Sequence, residues 1–248
     1  MATTVQARGA TPTGRGAESS DRSLYKAGAV AGFVGTAIGL ITNAVHPRNL
    51  FGEPTETRLQ RIADFGPWLA VHLGFVVALV LGLVTFVAVY RSISGGPSPW
   101  ARPALALVLV STAVTAVSFV MDGYGLWGLA TAWAEATGAA KSTIALAAGA
   151  AESFENALFI GSTILFFGVT PIVAGMALWT DGTYPRWVAV VGIIGGIAGV
   201  LAGAINFLAG AVTTFAFNVI FTPASFLITV WFLALSVLLW RRSQTATV

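Results

Sequence analysis

The 248-residue chain has 56% hydrophobic and only 9% charged side chains, with a mean hydropathy of +0.82, whereas about a quarter of the residues in a soluble domain are charged. Lipid is therefore the solvent for most of it, and too few charges remain to surface a second domain. Zero cysteines exclude a disulfide framework, a thiolate-held zinc or iron–sulfur site, covalently attached haem and a thiol nucleophile.

The net charge of +3 and the pI near 9.7 do not point to nucleic acid. The basic residues are scattered at helix ends, with no stripe interleaved with aromatics. Residues 1–23 are rich in Thr, Gly, Ala, Ser and Arg and nearly devoid of large apolar side chains. Such a segment cannot bury enough surface to offset the entropy of ordering, so a disordered tail is expected. It has no signal-peptide pattern, so the first apolar run is read as a retained anchor.

A hydrocarbon core about 30 Å thick needs about 20 apolar helical residues. Laid against the uncharged runs, that ruler predicts an all-α polytopic bundle within a membrane domain of residues 24–242, followed by a short tail over 243–248. Four spans are expected at about 27–46, 67–90, 103–122 and 156–180, with Pro171 kinking the fourth. From Trp187 to Trp240 no charge appears. A single helix of that length would extend roughly 80 Å, so the run must turn once, giving spans at about 187–209 and 217–240 and a total of six.

Orientation follows from the side on which Lys and Arg gather. Arg8, Arg15, Arg22, Lys26, Arg91, Arg102, Arg186, Arg241 and Arg242 fall on one side, and Arg48, Arg58, Arg61 and Lys141 on the other. That bias places both termini in the cytoplasm of a multi-pass cell-membrane protein. Aromatic residues suit interface anchors at both levels: Tyr25, Tyr90, Trp100, Trp179, Tyr184, Trp187 and Trp240 inside, and Trp68, Tyr124, Trp127 and Trp133 outside.

The stretch from Asp122 to Glu155 is too apolar for a water-exposed loop and too interrupted for a span. Its alanines predict that the third and fourth helices continue past the outer interface and turn near Gly138, with Ser142 or Thr143 as N-cap. The polar segment from Arg48 to Gly66 is expected to lie beside this extracytoplasmic helical cap as a loop or short amphipathic helix. Gly28, Gly32, Gly35 and Gly39 in the first span, and Gly192, Gly195, Gly196, Gly199 and Gly203 in the fifth, form small-residue faces. They are read as packing surfaces within the molecule, the alternative being a homo-oligomer or a larger membrane complex joined through them.

Chemistry concentrates at one level. His46 closes the first span, His72 lies in the second, Asp122 ends the third, and Glu152 and Glu155 open the fourth on one helix face. A charge in hydrocarbon costs about 2.5 to 3.5 kcal/mol on insertion scales, so these groups are expected to face a partner, a cavity or an ion. Imidazole and carboxylate suit a divalent transition metal, and His46, His72, Asp122, Glu152 and Glu155 are its candidate ligands. The alternatives are a haem with His46 and His72 as axial ligands, a metal-free polar pocket, or helix-end residues that merely reach headgroups and water. No nucleophile elbow, phosphate loop or dinucleotide motif is present. The leading reading is a metal-binding membrane enzyme, an oxidoreductase or hydrolase acting on a lipid-soluble or periplasm-facing substrate. Its rivals are a small cation- or proton-coupled transporter and a non-catalytic accessory subunit.

Overall fold

The computed structural model describes residues 13–47, 52–93 and 98–245, and no strand occurs among them. Six of its helical rods are long and apolar enough to cross a membrane: 20–45, 68–93, 101–135, 138–181, 186–209 and 216–245. The expected spans correspond to these one for one, and the even number leaves both termini at the same end of the bundle. That end is called the terminal end below, and the opposite one the cap end.

The first helix, α1 (Thr13–Val45), begins inside the segment expected to be a tail. Once the apolar span has nucleated, adding each further residue through Ala17, Glu18 and Ser20 costs little. Residues 1–12, at the start of the expected tail, lie outside the described residues. Next comes α2 (Thr55–Asp64), a short helix that realises one of the two expectations for the 48–66 segment. Of that segment, residues 48–51 lie outside the described residues. The second span is α3 (Trp68–Ile93).

The third rod runs α4 (Ala101–Val120), a π-helical turn (Met121–Gly125) and α5 (Leu126–Glu135). The fourth runs α6 (Gly138–Ile164), a second π turn (Leu165–Val169) and α7 (Thr170–Asp181). At 1.5 Å per residue these rods reach roughly 50 and 65 Å, well beyond a core of about 30 Å, so both overhang it at the cap end. They turn at Gly138, where φ is +54°. Because α6 starts there, Ser142 and Thr143 lie inside the helix and the expected N-cap role falls away. The Thr143 hydroxyl instead bonds back to the Ala139 carbonyl.

The last two spans are α8 (Arg186–Ala209) and α9 (Thr222–Thr245), the latter preceded by a third π turn (Ala216–Phe221). Two of the three π turns stand just before a proline, Pro171 and Pro223. Proline has no N–H for the carbonyl four residues back and its ring crowds that carbonyl. The wider turn absorbs the mismatch, so the kink expected at Pro171 is realised as a π turn ahead of it.

The glycine faces are filled from within the chain. A Cβ at Gly28 would meet Ala88, one at Gly32 would meet Ser236, and one at Gly35 would meet Leu81, so α1 seats on α3 and α9. On α8, Gly192 and Gly195 admit Trp231 and Ile228 of α9, and Gly199 admits the backbone of Phe167. At the terminal end the basic side chains lie over rings. The Arg242 guanidinium is 5.8 Å from both the Tyr25 and Tyr184 rings, and Arg186 lies 5.4 Å from the Trp179 ring, within cation–π range. Burial pushes the Tyr184 phenol up, and the neutral hydroxyl shares a 2.6 Å hydrogen bond with Ser92 Oγ.

A second, smaller apolar core builds the cap. Leu59 and Ile62 of α2 pack with Trp68, Leu126, Ala130, Trp133 and Ala148. Both aliphatic side chains are fully buried, which contributes about 1.5–3 kcal/mol each and holds α2 across the end of the bundle.

Candidate metal centre at the cap end

His46 follows the last turn of α1, its backbone N–H still bonded to the Thr42 carbonyl. His72 lies one turn into α3, and Asp122 belongs to the first π turn. That turn shapes the site in two ways. Its widened backbone leaves the Asp122 and Gly123 carbonyls to be met by the Trp68 indole N–H, at 3.1 and 3.0 Å. Gly123 also gives His72 room, because a Cβ there would overlap the His72 Cβ.

The two imidazoles are oriented alike. His72 Nδ1 is 2.8 Å from the Trp68 carbonyl and His46 Nδ1 is 2.8 Å from the Pro47 carbonyl. A carbonyl can only accept, so in each ring Nδ1 carries the hydrogen and Nε2 is the basic nitrogen. His72 Nε2 lies 3.0 Å from Asp122 Oδ2. A lone pair facing a carboxylate at that distance requires a shared proton or a cation between them. His46, His72 and Asp122 each offer a ligand atom, and these atoms all lie within 4.8 Å of one another. Two ligands bound about 2.0–2.1 Å from a tetrahedral ion stand roughly 3.3 Å apart, close to the spacing of the His72–Asp122 pair.

The surroundings are aromatic. The His46 ring centroid is 5.2 Å from that of His72, 5.4 Å from Trp68 and 5.9 Å from Phe75. This packing disfavours the haem alternative. Two axial imidazoles put their nitrogens about 4 Å apart on opposite faces of a macrocycle, and rings in edge contact leave no gap for one.

Glu152 and Glu155 stand on the far side of Asp122, around Arg58. The guanidinium lies 3.4 Å from Asp122 Oδ1, 3.4 Å from Glu155 Oε2 and 3.8 Å from Glu152 Oε1, and Glu152 Oε2 accepts a 3.0 Å hydrogen bond from the Thr55 hydroxyl. The five expected residues thus share one network but fall into two groups, with Asp122 in both. The sequence suggests other roles for Arg58 and Trp68, the first as an outer-side charge in a loop or short amphipathic helix and the second as an interface anchor. Both are inside, at 5% and 0% exposure. The signal for Arg58 was available: Thr55, Arg58, Leu59 and Ile62 fall at i, i+3, i+4 and i+7, placing the arginine on the apolar face of α2. Asn206 of α8 serves the backbone, accepting from the Thr213 N–H at 2.8 Å.

Six apolar rods with a partly buried His/Asp group at the cap end define a membrane-spanning helical protein with a candidate polar site at one end. By sequence the chain belongs to the family described as Domain of unknown function (DUF4386), whose model matches residues 24–237 and so takes in every residue of the site. Neither the curated proteins nor the solved structures include a match.

Proposed function

We propose that this protein is a metal-dependent membrane enzyme that binds one divalent transition-metal ion through His46, His72 and Asp122. The observation that carries the reading is the shared pinning of the two histidines. Each Nδ1–H is spent on a backbone carbonyl at 2.8 Å, which is how ligating imidazoles are held elsewhere. Charge supports it too. Three carboxyl groups, Asp122, Glu152 and Glu155, surround a single guanidinium, so acids outnumber the cation and a metal ion beside Asp122 is electrostatically favoured.

A metal held by three protein ligands would have room for water, as catalytic rather than structural sites do. A metal held by these residues would supply Lewis-acid activation of water or oxygen toward a lipid-soluble substrate, or one approaching from the aqueous phase beyond the cap. The excess of Lys and Arg near the terminal end supports a cell-membrane protein with cytoplasmic termini and an extracytoplasmic cap.

Elemental analysis of detergent-purified protein tests the metal. About one zinc, manganese or iron per chain is expected, lost in His46→Ala and His72→Ala variants that retain helical circular dichroism. No stoichiometric metal in the unmodified protein rejects the reading. Incubating metal-loaded and chelator-stripped protein with extracted membrane lipids, followed by mass spectrometry, tests catalysis. Lipid turnover confined to the loaded form is expected, and equal turnover in both forms overturns the enzymatic half.

A further inference from the structure

We infer that Arg58 occupies the second cation position of a carboxylate-bridged pair, and so keeps this centre to one metal ion where its ligands could otherwise hold two. The inference rests on the metal reading of His46, His72 and Asp122.

Asp122 divides its two oxygens. Oδ2 faces His72 Nε2 at 3.0 Å and Oδ1 faces Arg58 at 3.4 Å. A carboxylate splits in the same way when it bridges two metal ions, which in such centres lie about 3.5–4 Å apart. On the Oδ1 side the remaining donors are those a second ion would use: Glu155 and Glu152, projecting from one face of α6.

The guanidinium is loosely seated among them. Its carboxylate distances of 3.4, 3.4 and 3.8 Å exceed the roughly 2.7–2.9 Å of a well-formed charge-assisted hydrogen bond. Arg58 Nε and Glu152 Oε1 are both buried without a hydrogen-bond partner. The side chain is 6% exposed and arrives on α2 rather than from a spanning helix, so this cation is delivered by the cap. It offsets charge but, unlike a metal ion, does not ionise a bound water. The neighbouring ion therefore keeps a single open position, and the Glu152/Glu155 pair is closed to metal.

The experiment counts zinc per chain by mass spectrometry after loading and dialysis of detergent-purified full-length protein. The unmodified chain is expected to hold about one ion and Arg58→Gln about two, the second within bridging distance of the first. Arg58→Lys, which keeps a cation, is expected to stay at about one, as is Arg58→Gln combined with Glu152→Gln and Glu155→Gln. A merely structural salt bridge would not raise the metal count. Should Arg58→Gln fail to fold, Glu152→Gln/Glu155→Gln in the unmodified background decides. Retention of the single ion supports the inference, and its loss overturns it by making these residues ligands of the first ion. An Arg58→Gln variant that folds and still holds one ion also overturns it, leaving the His46–His72–Asp122 reading intact. An unmodified protein with no ion removes that reading and this inference together.

Discussion

Gly123 and Trp68 matter to the site although neither offers it a ligand. His72 occupies the space where a Gly123 side chain would stand, while the Trp68 indole holds the π-turn carbonyls that aim Asp122. Gly123→Ala is expected to push His72 away from Asp122 and to weaken zinc affinity about 10–100-fold, the usual cost of disturbing a ligand's support. Competition with a fluorescent chelator would measure it, with circular dichroism unchanged. The histidines and acids were legible in the sequence because ionisable groups are rare in spans. Their division into two groups was not, since it depends on the π turn that carries Asp122 and on an arginine supplied by a helix that is not a span. Trp68 misled for a physical reason: a tryptophan at a span end satisfies its N–H equally well at headgroups or on a backbone carbonyl.

At the scale of elements, α2 decides whether the site is covered. Its hold comes from Leu59 and Ile62 in the cap core and from Arg58, the first strongly favourable and the second costly to desolvate. Leu59→Ala should remove about 2–5 kcal/mol from the cap. Hydrogen exchange is expected to speed up at the α2 amides and in α5, with α8 and α9 unaffected. Equal acceleration throughout would mean that cap and bundle unfold as one unit. The π turns were only half legible: Pro171 announced a kink, but not that the widened turn ahead of it would pack against α8, Gly199 lying against the Phe167 backbone.

For the whole molecule, span number and rod length followed from hydropathy and a ruler, because backbone groups in lipid leave helices as the economical solution. The overhanging cap was legible from the same arithmetic. The partners of each glycine face were not, because small residues announce close approach without saying to what. The absence of cysteine makes the proposed orientation directly testable. In intact cells, Thr137→Cys at the cap turn is expected to react with a membrane-impermeant maleimide and Thr245→Cys to react only after lysis. The opposite pattern inverts the topology.

His46 follows the first span and the next helix along the chain is α2, so the helix that brings Arg58 to Asp122 comes next in the chain after one of the imidazoles. Lifting that helix off its seat would take Arg58 away from Asp122. Whatever the His46 group holds would then be exchanged in bursts, each timed by an excursion of the cap, rather than by a steady leak through the wall of the bundle.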